Sequence, residues 1–579
     1  MQEVILKLRK WKRKGNIFMR KTMIFTGKFI AAVSMLWLIG ILFCDLEAET
    51  MQSNAVQTEI WDKAQLYRIP KSYPTKEFQV SGVTSLYYEG LTYKGKQTKV
   101  YAYYGVPEGK APECGWPAIV LVHGGGGTAY PQYVKWWNQH GYAAISMDLE
   151  GHLPVQASST GERPAFSEGG PSRVGMFGDI DKPLAEQWFY HCIPQVVLAH
   201  SLIRSFPEIN PQKTGLIGVS WGGVITCLVV GVDDRFKFAV PVYGCAALAG
   251  SDGTFGMEGL SQVQLKRFME LWEGSRYLAH STVRMLWING TNDINFPLDS
   301  WQKSINVAKG QSKQRAEIRM PHGHNGFISD EAVAFADGII NSTAFLPEIG
   351  KVERTGNQVS VKIFGNKEIV KAELCCTLYG GKRSNRIWES VPALVSGETV
   401  TAVLPENTTA FYFNITNERR LMVSSEYIET GATGKLPKVI IDTDSFSKWV
   451  LVNPAQQKDS GKYLEVSGKT VNLTATDKAV QYLYMPALPV LDGEQVEFSF
   501  KVEGSGQGQV GFFPYSDEKW TSSGGLALQS FLPETTPREY KFTLPAKGDK
   551  IKAIRVVIGA APNSSIKYSE LKINTGLKQ

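Results

Sequence analysis

Six apolar runs between Thr84 and Leu346 constrain this chain more than any other feature. They are "PAIVLVHG", "YAAISMDL", "TGLIGVS", "FAVPVYG", "VRMLWING" and "AEIRMPHG", and each ends near a Gly, Asp, Ser or His. Between them lie stretches such as "LAEQWFYHCIPQVVLAHSLIRSF", with Phe189, Ile193, Val196, Val197 and Ile203 at helical spacing. Strands apolar on both faces and joined by helices specify a mostly parallel sheet covered on each side, an α/β fold. Loops at the carboxyl ends of such strands form the ligand crevice, and the polar residues fall there.

At 579 residues the chain is too long for one core. After Leu346 the pattern turns to short alternating runs such as "NQVSVKIFG", "KAELCCTLYG" and "TAFYFNITN", which predict a small β-sandwich over 348–430. A linker is expected at 431–438. Helix-free strands from "VIIDTDSF" to the end predict a second sandwich of jelly-roll type over 439–579. The α/β domain is assigned 81–347, preceded by an extension over 49–80.

The net charge of +7 gives no argument for a nucleic-acid partner once it is located. Nine Lys or Arg against one acid lie in residues 1–28, leaving the rest close to neutral. That basic stretch leads into the 15-residue apolar run Phe29–Phe43. Residues 1–48 thus read as a secretory signal or as a retained membrane anchor, and the chain is expected to be exported. Seven scattered cysteines without a CxxC pair argue against a disulfide scaffold or a zinc site of that type. No metal or organic cofactor is expected.

"GLIGVSWGG" sets Ser220 in a G-x-S-x-G between a buried run and a helical one, where a sharp turn thrusts the hydroxyl above the sheet. A serine hydroxyl needs a general base and a group that orients the base. Asp293 in "WINGTNDINFP" supplies the acid. His324 in "MPHGHNG" is the preferred base because glycines flank its loop, with His322 as the fallback. Asp233, Asp234 and Asp299 read as solvated or capping acids. Charge developing on a carbonyl oxygen calls for two backbone N–H groups. One is expected from Trp221 and the other from "HGGGG", at Gly125 or Gly126, where no Cβ obstructs the approach.

"VLVHGGGGTAY", "GYAAISMDLEGH", "QWFYH", "GLIGVSWGG", "DDRFKFAVPVYGC", "WINGTND" and "MPHGH" together resemble the bacterial α/β-hydrolases of the acetylxylan-esterase and dienelactone-hydrolase-like group, over roughly residues 75–345. The resemblance implies a serine esterase, often one that removes acetyl groups from plant polysaccharides, with Ser220, Asp293 and His324 as the triad. Dienelactone hydrolases proper carry a cysteine where this chain has Ser220.

The expected substrate is therefore an acylated polysaccharide or oligosaccharide. Glu150, His152 and Trp188 are candidate substrate-binding residues, and the Gly/Ser/Pro-rich segment from Pro154 to Pro183 is expected to drape over the site. In the terminal sandwich Trp449, Tyr515 and Trp520 are candidates for stacking on sugar rings. Two rival readings are a serine peptidase of the prolyl-oligopeptidase type and a non-catalytic glycan-binding protein.

Overall fold

The structure, a computed structural model, describes residues 60–155, 163–257, 259–343, 346–365 and 368–434, and in the C-terminal part 450–451, 464–467, 470–475, 481–484, 488–489, 494–515, 529–544 and 553–577. The leader, residues 435–438 of the expected linker, and Trp449 and Trp520 lie outside the described residues.

The strands are β1 (Ser72–Pro74), β2 (Thr84–Tyr93), β3 (Lys96–Gly105), β4 (Trp116–Val122), β5 (Ala143–Met147), β6 (Ile209–Val219), β7 (Phe238–Val242), β8 (Arg284–Gly290) and β9 (Ser312–Glu317). They lie in the order β1-β2-β3-β5-β4-β6-β7-β8-β9. From β5 to β9 every neighbouring pair is parallel, and five of the six apolar runs are strands of this sheet. The sixth, "AEIRMPHG", supplies only Ala316 and Glu317 to β9, whose other residues are the polar "SKQR" before it, and the rest of the run is loop. The parallel strands are apolar on both faces because helices cover both. β5 and β7 are buried along their whole length. The helix Trp221–Val232 is buried from Trp221 to Val230. Side chains such as Val224, Ile225 and Leu228 each contribute about 1.5–3 kcal/mol by leaving water.

The chain adds β5 on one side of β4 and β6 on the other, so the strand order reverses between β4 and β6, which lie side by side and parallel with Val122 opposite Gly218. Their carboxyl ends therefore bring the glycine loop after β4 and Ser220 after β6 to one crevice.

From Lys63 onward the extension before residue 81 is not separate from the α/β fold. β1 pairs with β2, and the helix Lys63–Tyr67 is tied to the helix Trp188–Ile203 by Ser201 Oγ donating to the Leu66 carbonyl (3.1 Å).

The middle region forms two antiparallel sheets from β10 (Glu348–Thr355), β11 (Gln358–Phe364), β12 (Ile369–Thr377), β13 (Glu389–Pro392), β14 (Leu394–Ser396), β15 (Thr399–Val403), β16 (Ala410–Asn417), β17 (Met422–Ser424) and β18 (Ile428–Glu429). One of these sheets continues the central sheet: β17 pairs antiparallel with β9, so the strands run on as β9-β17-β16-β12-β13. The assigned boundary at 347/348 marks a change of sequence pattern but no break in the sheet. Among the described residues the C-terminal part forms two further antiparallel sheets of six and five strands, paired through Gly508–Tyr515 with Ala553–Ala560 and Glu494–Ser505 with Ser565–Leu577.

Candidate active site

Ser220 sits between β6 and its helix at φ +57° and ψ −121°, a backbone conformation costly for a residue with a Cβ. Packing enforces it. A Cβ on Gly218 would run into the Gly222 carbonyl, and one on Gly222 would run into the Val122 carbonyl. The glycines of G-x-S-x-G are thus the residues that allow the serine turn to press against the end of β4.

His322 Nε2 lies 2.8 Å from Ser220 Oγ, and His322 Nδ1 lies 2.6 Å from Asp293 Oδ2. The carboxylate accepts from Nδ1–H, which leaves Nε2 to accept from the serine hydroxyl. The Asn295 and Phe296 N–H groups donate to Asp293 Oδ1, both at 2.8 Å, and the carboxylate is buried. The imidazole keeps about a quarter of its surface open to solvent.

His322, and not the preferred His324, therefore stands in the position of the base. His324 opens a short 3-10 turn and faces the glycine loop, with its ring 4.9 Å from that of Tyr130. Burial, helped by the neighbouring His123 and His322, pushes it down to about 4, and its Nε2 has no hydrogen-bond partner among the described residues. The glycines that favoured His324 serve the loop instead. The Tyr243 hydroxyl donates to the Gly323 carbonyl and accepts from the Gly326 N–H (2.8 Å), and a Cβ on Gly326 would meet the Tyr243 ring.

The glycine loop is oriented by His123. The Leu149 N–H donates to His123 Nε2 (2.9 Å), so Nδ1 carries the proton and donates to the Gly124 carbonyl (2.7 Å). The Gly127 N–H donates to the same carbonyl at 3.0 Å. A trans peptide then turns the Gly125 N–H the opposite way. Of the three expected oxyanion donors, Gly125 and Trp221 have N–H groups without a partner among the described residues. Gly126 does not: its N–H already donates to Glu150 Oε1 at 3.0 Å.

The three candidate substrate-binding residues are otherwise engaged. Glu150 is buried and ion-paired with Arg163 (3.0 Å) and Arg173 (3.1 Å). Burial opposes its ionisation, but Arg173 and the Gly126 N–H more than offset that and hold Glu150 low. His152 Nδ1 accepts from Arg163 (3.1 Å). Trp188 is a core residue whose Nε1 donates to the Leu149 carbonyl (2.7 Å). Together with Asp148, which Arg163 meets at 2.7 Å, these groups form a structural network behind the glycine loop. Both arginines come from the segment expected to drape over the site. Its described part does so: Arg173 stacks over Trp221 (5.9 Å) and Phe177 packs edge-on against it (5.8 Å). Arginines in a polar loop carry no sequence signal for such a role.

Comparison with known proteins bears on this geometry. The family model described as "Acetyl xylan esterase (AXE1)" matches residues 57–247, across the glycine loop and Ser220. The model of the prolyl oligopeptidase family matches residues 182–346, across Ser220, Asp293 and His322. In fold and motifs the chain is similar to the α/β-hydrolases of the acetylxylan-esterase and dienelactone-hydrolase-like group. Among curated proteins it is similar to the "Uncharacterized peptidase YuxL" of Bacillus subtilis (strain 168), 23% identical over 228 residues, which span 37% of this chain and 31% of that relative. Among solved structures it is similar to an acetyl xylan esterase from Paenibacillus sp. R4 (19% identity, 50% of this chain, 99% of the other, TM-score 0.40). It is also similar to acetyl xylan esterase 1 from Thermoanaerobacterium sp. JW/SL YS485 (15% identity, 48% and 93%, TM-score 0.37) and to the acylaminoacyl peptidase of Pyrococcus horikoshii (18% identity, 42% and 39%, TM-score 0.33).

Proposed function

We propose that this chain is an exported serine carboxylesterase that removes acyl groups, chiefly acetyl, from a carbohydrate. The reading rests on one observation, the hydrogen-bonded chain Ser220–His322–Asp293 beside two unengaged N–H donors. Ser220 Oγ attacks the ester carbonyl while His322 Nε2 takes its proton, and Asp293 holds the imidazole and stabilises it when charged. The N–H groups of Trp221 and Gly125 receive the oxyanion. As the intermediate collapses, His322 returns the proton to the departing sugar oxygen, leaving an acyl-serine. Water, deprotonated by His322, then releases the acid and restores Ser220.

The acetyl xylan esterase match supports the substrate class, and the basic leader with its apolar run supports export. The match to the prolyl oligopeptidase family favours a second reading, cleavage of an amide by the same residues. The discriminating experiment measures acetate release from acetylated xylan, hydrolysis of p-nitrophenyl acetate and cleavage of a peptidyl anilide, for the native chain and Ser220→Ala. Acetate release lost in the variant supports the esterase; anilide cleavage without acetate release supports the peptidase. A native chain inert on all three, yet retained by xylan, favours a glycan-binding protein.

A further inference from the structure

We propose that the middle sandwich is a built-in support for the catalytic acid: its 383–386 turn positions Asp293 through Asn292. The inference rests on the reading of Asp293 as the acid of the triad.

Asp293 lies on the turn that follows β8, and among the described residues its carboxylate is gripped only by that turn and by His322. What fixes the turn therefore fixes the acid. Asn292, the preceding residue, uses its whole amide for this purpose. Its Oδ1 accepts from the Thr291 hydroxyl (2.7 Å), and its Nδ2 donates to the Ser384 carbonyl (2.9 Å) and the Arg386 carbonyl (2.8 Å). Both amide hydrogens thus go to a turn of the sandwich more than ninety residues away.

That turn is itself clamped. The Arg383 N–H donates to Asp252 Oδ2 (2.9 Å), and its guanidinium meets Asp252 (3.2 Å), Asp299 (3.4 Å) and Glu429 (2.8 Å). Arg386 adds a second bond to Glu429 at 2.8 Å. Burial works against a charge on Glu429, yet its bonds from Arg383 and Tyr427 hold it at about 2, so Glu429 stays ionised across the working range. Asp252 opens a segment that returns to the same turn, with the Thr254 N–H donating to the Ile294 carbonyl (2.8 Å) and the Phe255 ring 5.1 Å from that of Phe296. The side carrying the base leans on the sandwich too. The Ala316 N–H donates to Ser424 Oγ (2.7 Å) and the Ala316 carbonyl accepts from Asn414 Nδ2 (3.1 Å), six residues before His322.

Misplacement of a catalytic group by a fraction of an ångström costs far more in rate than in binding. The expected result for Asn292→Ala in the full chain, assayed on p-nitrophenyl acetate, is a fall in kcat on the order of tenfold to a hundredfold with KM little changed. Rates are counted per site titrated by a fluorophosphonate, so that loss of folded protein does not enter. Val359→Ala, a core truncation in the same sandwich away from the turn, lowers the Tm but leaves kcat per site in place. An Asn292→Ala chain with native kcat per site overturns the proposal while leaving the triad reading standing. A native chain that takes no label at Ser220 overturns that reading, and the proposal with it.

Discussion

Two hydroxyl–imidazole–carboxylate chains occur in this hydrolase domain, with nearly equal distances. In one, Ser220, His322 and Asp293 are linked at 2.8 and 2.6 Å; in the other, Thr214, His200 and Asp233 are linked at 2.8 and 2.7 Å. The surroundings differ in every respect that bears on reaction. Ser220 stands at positive φ beside two unengaged N–H donors, and His322 is partly open to solvent. Thr214 lies within β6, while His200 is fully buried and stacked on Phe236 at 3.6 Å. Arg235 bonds Asp233 at 2.6 Å, so its charge is spent on a second partner. Burial outweighs the pull of Asp233 and pushes His200 down to about 4. Hydrogen bonding among three residue types is therefore no evidence of a nucleophile. Access, a strained turn and waiting oxyanion donors make the difference. Asp233, expected as a solvated or capping acid, is buried and caps the chain after its helix, accepting from the Arg235 N–H at 3.0 Å; Asp299 is buried too and pairs with Arg383.

The largest effect expected from this contrast is on turnover. Ser220→Ala or His322→Ala lowers kcat on ester substrates by a factor on the order of ten thousand to a million, whereas His324→Ala keeps fluorophosphonate labelling of Ser220. Equal losses from His322→Ala and His324→Ala would return the role of base to the sequence-based choice. Next in size is Gly125→Ala. Its Cβ would lie 2.7 Å from the Trp221 ring and 2.9 Å from the Arg173 guanidinium, so the loop must shift and a donor is lost. Steady-state kinetics should show kcat down roughly a hundredfold to a thousandfold.

Thr214→Val sharpens the comparison from the other side. It leaves His200 Nε2 buried without a partner, at a cost of about 1–3 kcal/mol, seen as a lower Tm by calorimetry. Turnover stays native, and a marked drop in kcat would show that the sealed chain is not merely structural.

The smallest effect is on the pH dependence of stability. Below the ordinary histidine range the unfolded chain binds a proton that the folded chain refuses. Stability from neutral His200 is thus complete above about pH 6.5 and is lost as pH falls towards the lowered value of about 4. The Tm falls across that window, and His200→Gln, with no proton to gain, flattens the curve. A native chain whose Tm–pH curve matches that of the variant would contradict the sealed, neutral imidazole.

The sequence by itself determined the parallel sheet, the serine turn and the acid. Apolar runs, a G-x-S-x-G and a polar turn are local patterns, and local patterns fix local structure. It narrowed the base to two histidines and favoured His324, whereas the fold sets His322 against Ser220. His322 and His324 are separated by one glycine, and the path of that loop depends on Tyr243, some eighty residues earlier. The Arg163 and Arg173 network and the grip of the 383–386 turn on Asn292 left no local trace, because each joins segments whose contact exists only after the chain has folded. The tertiary structure alone decided which histidine faces Ser220, which glycine keeps its N–H free and which domain steadies the acid, since each depends on where distant backbone atoms meet.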